Sequence, residues 1–237
     1  MKEEMISKVD RESFWQLIAE AKQRFPENMD AYEEWVKTQL KRMGTEETFN
    51  FFVIFYGYMD AACEYGLWTA ASMIKEYGCG DDGFTDFRSW LIAQGKEVYL
   101  NALKNPDSLA DVPVYGDCCF ERFGYVADYA YEELTGKSVY SMYTPQAQKS
   151  SYTEALREIE YGELVKYPFE FCDAKIVFPK LSRKYLTAEK LYQDKSGKMW
   201  NWRQPNLRRL LEEGQSIARR IQKLGRTNHR IQTGEAR

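Results

Sequence analysis

The chain has 237 residues, of which 44% are hydrophobic and 15% aromatic, with 17 Tyr, 6 Trp and a net charge of −3. That is enough chain for a sizeable core, and too many aromatics for a disordered polymer. The single histidine, His229, sits in a polar C-terminal stretch, so a Ser-His-Asp or Cys-His unit is excluded unless that stretch folds back, and zinc lacks its usual imidazole ligands.

The N-terminal residues Met1 to Asp10 are charged and do not read as a secretory leader. The five cysteines (Cys63, Cys79, Cys118, Cys119, Cys172) are odd in number and lack a framework spacing. Both points predict free thiols in a reducing cytoplasm. A first helix starts near Asp10 or Ser13, buries Phe14, Leu17, Ile18, Ala21 and Phe25, and ends at Pro26. A second begins near Asn28 or Asp30, turns Tyr32, Trp35, Val36, Leu40 and Met43 inward, and closes at Gly44. Thr45, Glu46 and Glu47 mark a third start. That third helix carries FNFFVIFYGYMDAAC, apolar nearly all round. A bilayer span needs about 20 such residues, so the shorter run, with Asn50 and Asp60 in it, predicts a central buried helix. Asp60 then requires a partner, and Arg88 is the candidate. A fourth helix spans Leu67 to Tyr77.

The stretch Gly78 to Asp111 concentrates glycines, acids, aromatics and an amide. Asp82 or Thr85 is placed to cap a helix whose apolar face is Phe84, Phe87, Trp90 and Leu91. Gly95 interrupts it. A second short helix through Val98, Tyr99, Ala102 and Leu103 stops at Asn105-Pro106, and Asp107 to Leu109 begin a further turn. Asp81, Asp82 and Asp86, with Arg88, Trp90 and Gln94, are the candidate ligand-binding residues. Three carboxylates in six residues can hold a hard cation, but the calcium-loop pattern is absent. Capping and bracing explain the same acids, and no metal, cofactor or catalytic residue is assigned.

Beyond an irregular Val112 to Asp117, Phe120, Phe123, Val126, Ala127, Ala130, Tyr131 and Leu134 repeat at helical spacing up to Gly136. Lys137 to Tyr152 reads as a surface loop, Ala155 to Leu164 as a charged helix, Tyr167 to Pro179 as extended or irregular, and Lys180 to Leu186 as a short helix. The fold class is all-α: one multi-helix, bundle-like domain (residues 1–186) around a central buried helix, followed by a basic extension (187–237).

The succession FW, LWTAASMI, GCGDDGFTDFRSWLIAQGKEVY, PDSLAD, FGYVADYAYEELTG and FPKLSRKYL resembles a bacterial family of small helical proteins known as a domain of unknown function. The resemblance covers roughly residues 10 to 186. It implies a helical fold and no established activity. Trp15, Trp68, Asp81, Asp82, Phe84, Phe87, Arg88, Trp90, Gln94, Gly95, Pro106 and Leu109 are among the residues that carry it.

Charge is split along the chain. Residues 1–179 carry a net −13 and residues 180–237 a net +10, which bears on partners and not on fold. Leu191 to Trp202 reads as a small hairpin turning at Asp194 to Gly197. Pro205-Asn206 then start an amphipathic helix with Leu207, Leu210, Leu211, Ile217, Ile221 and Leu224 on one face, ending at Gly225. Trp200, Trp202, Arg203, Arg208, Arg209, Arg219, Arg220 and Lys223 are the candidate partner-binding residues. The favoured function is a non-catalytic interaction or regulatory protein. It binds a protein partner, or a second copy, through the acidic body or the basic helix. Two alternatives stand beside it: a small-ligand or metal-dependent enzyme at the aspartate-rich loop, and nucleic-acid contact through the basic extension, where tryptophans beside arginine suit base stacking. No membrane partner is expected.

Overall fold

The computed structural model describes residues 9–75, 78–114, 118–186 and 206–232, with side chains to residue 225 in the last segment. The helices in chain order are α1 (Arg11–Arg24), α2 (Met29–Met43), α3 (Thr45–Ala61), α4 (Tyr65–Ile74), α5 (Asp81–Ala93), α6 (Lys96–Lys104), α7 (Glu121–Gly124), α8 (Val126–Thr135), α9 (Pro145–Leu156), α10 (Phe171–Val177), α11 (Pro179–Tyr185) and α12 (Leu207–Gln232). Tighter 3-10 turns occupy Pro106–Asp111, Val139–Met142 and Glu163–Lys166. No strand occurs among the described residues, so the fold is all-α. No described helix is long and apolar enough to cross a membrane.

The chain forms two compact units. The first gathers the described residues of Met1–Cys63, Asp81–Leu100 and Val114–Glu160. Its centre is α3, which packs on α9, α8, α2 and α5. Phe51, Phe52, Phe55 and Tyr58 of α3 are all buried. Close approach of α9 depends on Gly57, where an added Cβ would stand 2.7 Å from the Ser151 carbonyl oxygen. The first helix is held by a reciprocal cap: the Ser13 amide donates to Asp10 Oδ1 at 3.0 Å and the Asp10 amide donates to Ser13 Oγ at 2.8 Å. The Ser13 amide and then the Ser13 hydroxyl, both donating to Asp10 Oδ1, hold that carboxyl below its ordinary value. Asn28 caps α2 through the Ala31 amide at 3.0 Å. Gly44, at φ 93°, closes α2 and opens α3 in a conformation that other residues resist.

A polar network threads this core. The Trp15 Nε1 donates to the Tyr58 hydroxyl at 2.9 Å, the Tyr58 hydroxyl donates to the Glu158 carboxylate, and the Tyr99 hydroxyl donates to the Tyr58 carbonyl at 2.7 Å. Lys96 closes the chain on Glu158 at 2.6 Å. Large aromatic side chains are buried here with their polar ends satisfied.

Several elements differ from the sequence expectation. Lys137 to Tyr152 is not a surface loop: it contains a 3-10 turn and most of α9, the helix packed on α3. Thr144 caps α9 through the Ala147 amide at 3.2 Å, with Pro145 in its first turn. Only Ser151 and Ala155 of that helix are buried, so it shows no apolar period. It ends at Leu156, and no α-helix follows before the 3-10 turn at Glu163–Lys166. The run from Phe120 to Leu134 is broken at Tyr125 into α7 and α8, while Gly136 at φ 70° ends α8 as expected. Asp82 and Thr85 lie inside α5 and do not cap it.

The second unit comprises the described residues of Glu64–Gly80, Asn101–Pro113 and Tyr161–Arg237. Helix α4 packs on the Glu163–Lys166 turn, on α11 and on the Pro106–Asp111 turn. Gly66 permits the first contact, since a Cβ there would lie 2.2 Å from the Leu164 carbonyl oxygen. Buried Asp107 accepts from the Lys180 amide at 3.1 Å and the Leu181 amide at 2.9 Å, tying the PDSLAD turn to the start of α11. Tyr167 to Pro179 is not wholly irregular, because α10 lies within it and buries Phe171, Ala174 and Val177 on one face. Helix α12 packs on α10, and its Leu207, Leu211, Ile217 and Ala218 are buried. Gly225 does not end α12, which continues to Gln232. The expected hairpin at Leu191 to Trp202 lies outside the described residues.

Candidate functional site

The six residues singled out around α5 do not converge. Asp81 and Asp82 are exposed in its first turn, where the helix dipole favours negative charge. Asp86 accepts from the Cys119 thiol at 3.2 Å, and its carbonyl accepts the Phe120 amide at 3.3 Å. Arg88 points to α3: Nη1 donates to the Met59 carbonyl at 2.7 Å and Nη2 to Thr85 Oγ1 at 3.1 Å, with the guanidinium 5.1 Å from the Phe84 ring centre. The expected Asp60–Arg88 pair is therefore not formed. Asp60 Oδ2 accepts from Gln148 Nε2 of α9 at 3.1 Å instead, a partner hidden while α9 reads as a loop.

Trp90 and Gln94 do come together. They line a cleft with Lys22, Phe25, Glu27 and Tyr32, between the end of α1, the start of α2 and the end of α5. The space open to the centre of a water molecule is about 20 Å³. Lys22 Nζ donates to the Gln94 carbonyl at 2.7 Å and to Gln94 Oε1 at 3.1 Å. Burial holds the Lys22 amine below its ordinary pKa. Among the described residues no carboxylate lies within ion-pair distance of it. Gln94 Nε2 donates to the Trp90 carbonyl at 3.2 Å. The Tyr32 hydroxyl makes long contacts, 3.4 Å, to the Ile18 and Ala93 carbonyls, and full burial pushes its pKa well up, so it stays protonated. The Trp90 side chain is 1% exposed and its Nε1 has no acceptor.

A second concavity, of about 500 Å³, is lined by Glu33, Lys37, Arg122, Tyr129, Glu132 and Glu133. None of these was singled out from the sequence. Glu33 is 3% exposed, one position beside the Tyr32–Val36–Leu40 face, and burial pushes its pKa up against the lowering effect of Arg122. Arg122 Nε lies 3.1 Å from Glu33 Oε2, out of hydrogen-bond alignment, and its Nη2 donates to Oε1 at 3.2 Å. Glu133 pairs with Lys37 at 3.3 Å and with Lys41. Most of this charge is satisfied internally, which makes the groove a fastening between α2 and the α7–α8 pair.

In the second unit, Glu170, Cys172 and Asp173 bring ligand atoms within 4.8 Å of one another at the start of α10. Burial raises the Asp173 pKa, and Arg219 opposes that shift. Five cations of α12 have described side chains. Arg208 and Arg209 pair along the helix with Glu212 at 3.3 Å and Glu213 at 3.2 Å, Arg220 lies 3.8 Å from Glu163, and Arg219 faces Asp173. Lys223 is exposed near the far end. Beyond Ala218 the helix loses its cover: Ile221 is 36% and Leu224 65% exposed. Trp200, Trp202 and Arg203 lie outside the described residues.

No curated protein and no solved structure matches the chain. A family match does cover residues 9–133, from the cap of α1 into α8. It includes both the Trp90 cleft and the Glu33 groove, and stops short of α9 and α12, whereas the resemblance read from the motifs extended to residue 186. With more than half its length matched, the chain belongs to the family described as protein of unknown function (DUF4240).

Proposed function

We propose that this protein acts by contact and not by bond-making chemistry: a non-catalytic interaction protein of a bacterial cytoplasm that engages a protein partner through α12. One observation carries the reading. Helix α12 is anchored by Leu207, Leu211, Ile217 and Ala218, then runs on to Gln232 with Ile221 and Leu224 exposed among cations. An amphipathic helix with a cationic rim suits an apolar groove edged by acids. The other arm of the proposal is the acidic body, whose net −13 suits a basic surface. Cys63 and Cys172 are exposed, which fits a reducing compartment.

The test compares the intact chain with an Ile221→Ser, Leu224→Ser double variant in affinity purification, with and without nuclease. Co-purifying proteins that are lost with the double variant and kept through nuclease support the reading. Identical protein profiles reject it, and so does a profile that nuclease alone abolishes.

A further inference from the structure

The cleft at Lys22 and Trp90 brings together donors that the fold leaves without an anion. Lys22 is an ammonium bound only to two neutral oxygens of Gln94. It uses two of its three N–H groups on them. The Trp90 Nε1 is a second donor, buried and without an acceptor, on a side chain lining the same space. Leaving such a donor unsatisfied is unfavourable, which is why nearly all buried polar atoms have a partner. Tyr32, another polar group on the wall, already directs its hydroxyl to main-chain carbonyls. What the wall lacks is therefore an acceptor carrying negative charge.

Size restricts the choice. A single water needs about 10–15 Å³ by this measure, so about 20 Å³ takes one oxygen-sized group and leaves the rest of a ligand in solvent. A carboxylate can insert one oxygen edge-on and keep its second oxygen toward solvent. Glu27 decides what lies behind that carboxylate. It is exposed, lines the same cleft, and makes no ion pair among the described residues. A simple anion would be repelled by it, but a ligand with a cationic group next to its carboxylate would be held at both ends.

We propose that this cleft binds a small amino-acid-type zwitterion. The carboxylate meets Lys22 Nζ and Trp90 Nε1, and the ammonium faces Glu27. This site lies in the first unit, within the family-matched segment, and does not depend on α12.

The experiment follows the indole N–H resonance of Trp90 in the intact chain, identified by its loss in Trp90→Phe. Glycine should move that resonance saturably. Glycine amide, which lacks the anionic oxygen, should not, and this comparison needs no variant. Acetate should bind at least several-fold more weakly than glycine. Lys22→Met should abolish the glycine shift, with the rest of the spectrum kept as the control for folding. Glu27→Gln should reduce glycine to the level of acetate. The proposal fails if glycine gives no saturable shift, if glycine amide matches it, or if the shift survives Lys22→Met. Acetate equal to glycine in the unaltered chain would overturn the zwitterion assignment.

Discussion

Gly57 shows how much one residue decides. It sits mid-helix on α3, where glycine is intrinsically unfavourable, because a Cβ would meet the Ser151 carbonyl at 2.7 Å. Gly57→Ala should therefore destabilise the first unit by about 1–3 kcal/mol, the usual range for overpacking a fitted contact. A lower urea midpoint with an unchanged slope would show it. Glu33 gives a prediction of opposite sign. Its raised pKa means that the folded state holds the carboxyl proton more tightly than the unfolded chain does. The stability from that group is present below the ordinary carboxyl range and is lost as pH rises through the folded value. Glu33→Gln, neutral at every pH, should be more stable than the parent near pH 7, with the gain shrinking toward pH 4. Urea melts at the two pH values decide it, and a variant that loses stability at pH 7 relative to pH 4 contradicts the assignment. Residue roles were partly legible. Asp10 and Asn28 cap where short polar side chains precede an apolar period, and Asp60 was recognised as needing a partner. The identity of that partner was not, because Gln148 lies on a helix with almost no apolar face.

At the level of elements, legibility followed apolar periodicity. Helices α1, α2, α5 and α6 carry it and are readable, down to the stops at Gly44 and Asn105; α3 shows instead as an unbroken apolar run, and α4 begins at Tyr65, two residues before the expected start. Helix α9 buries one alanine and one serine, so only its Thr144-Pro145 start announces it. Helix α10 has seven residues, too few for a period to repeat. Gly225 looked like a stop, yet a helix passes through glycine at a cost of about 1 kcal/mol when its neighbours favour it. The lining of the Trp90 cleft is readable only in part, for a related reason. Trp90 and Gln94 share a face and meet in one cleft, but Lys22 joins them from a helix 68 residues away in sequence, which no local spacing reveals. Helix α12 divides into an anchored part and an overhanging part, and the two should respond differently. Leu211→Ala removes buried packing and should cost the second unit about 2–5 kcal/mol. Removing residues 219–237 takes away exposed apolar and cationic groups, and should leave the melting temperature close to that of the intact chain while abolishing partner capture. A truncation that melts far earlier would show the overhang to be structural.

For the whole molecule, an acidic stretch (residues 1–179, net −13) is followed by a basic one (residues 180–237, net +10), and the proposed work is done at their surfaces. The body has a core of contacting aromatic rings, partnered hydroxyls on Tyr58 and Tyr99, and an internally paired groove at Glu33 and Arg122. Its acids at Asp81 and Asp82 stand exposed, and Arg88 is engaged with the Met59 carbonyl. Amide hydrogen exchange of the intact chain, alone and with the partner it captures, tests this most directly. Protection confined to residues 219–232, or to these and an acidic face of the body, is the predicted result. Protection centred on Asp81 to Arg88 with α12 unchanged would contradict it.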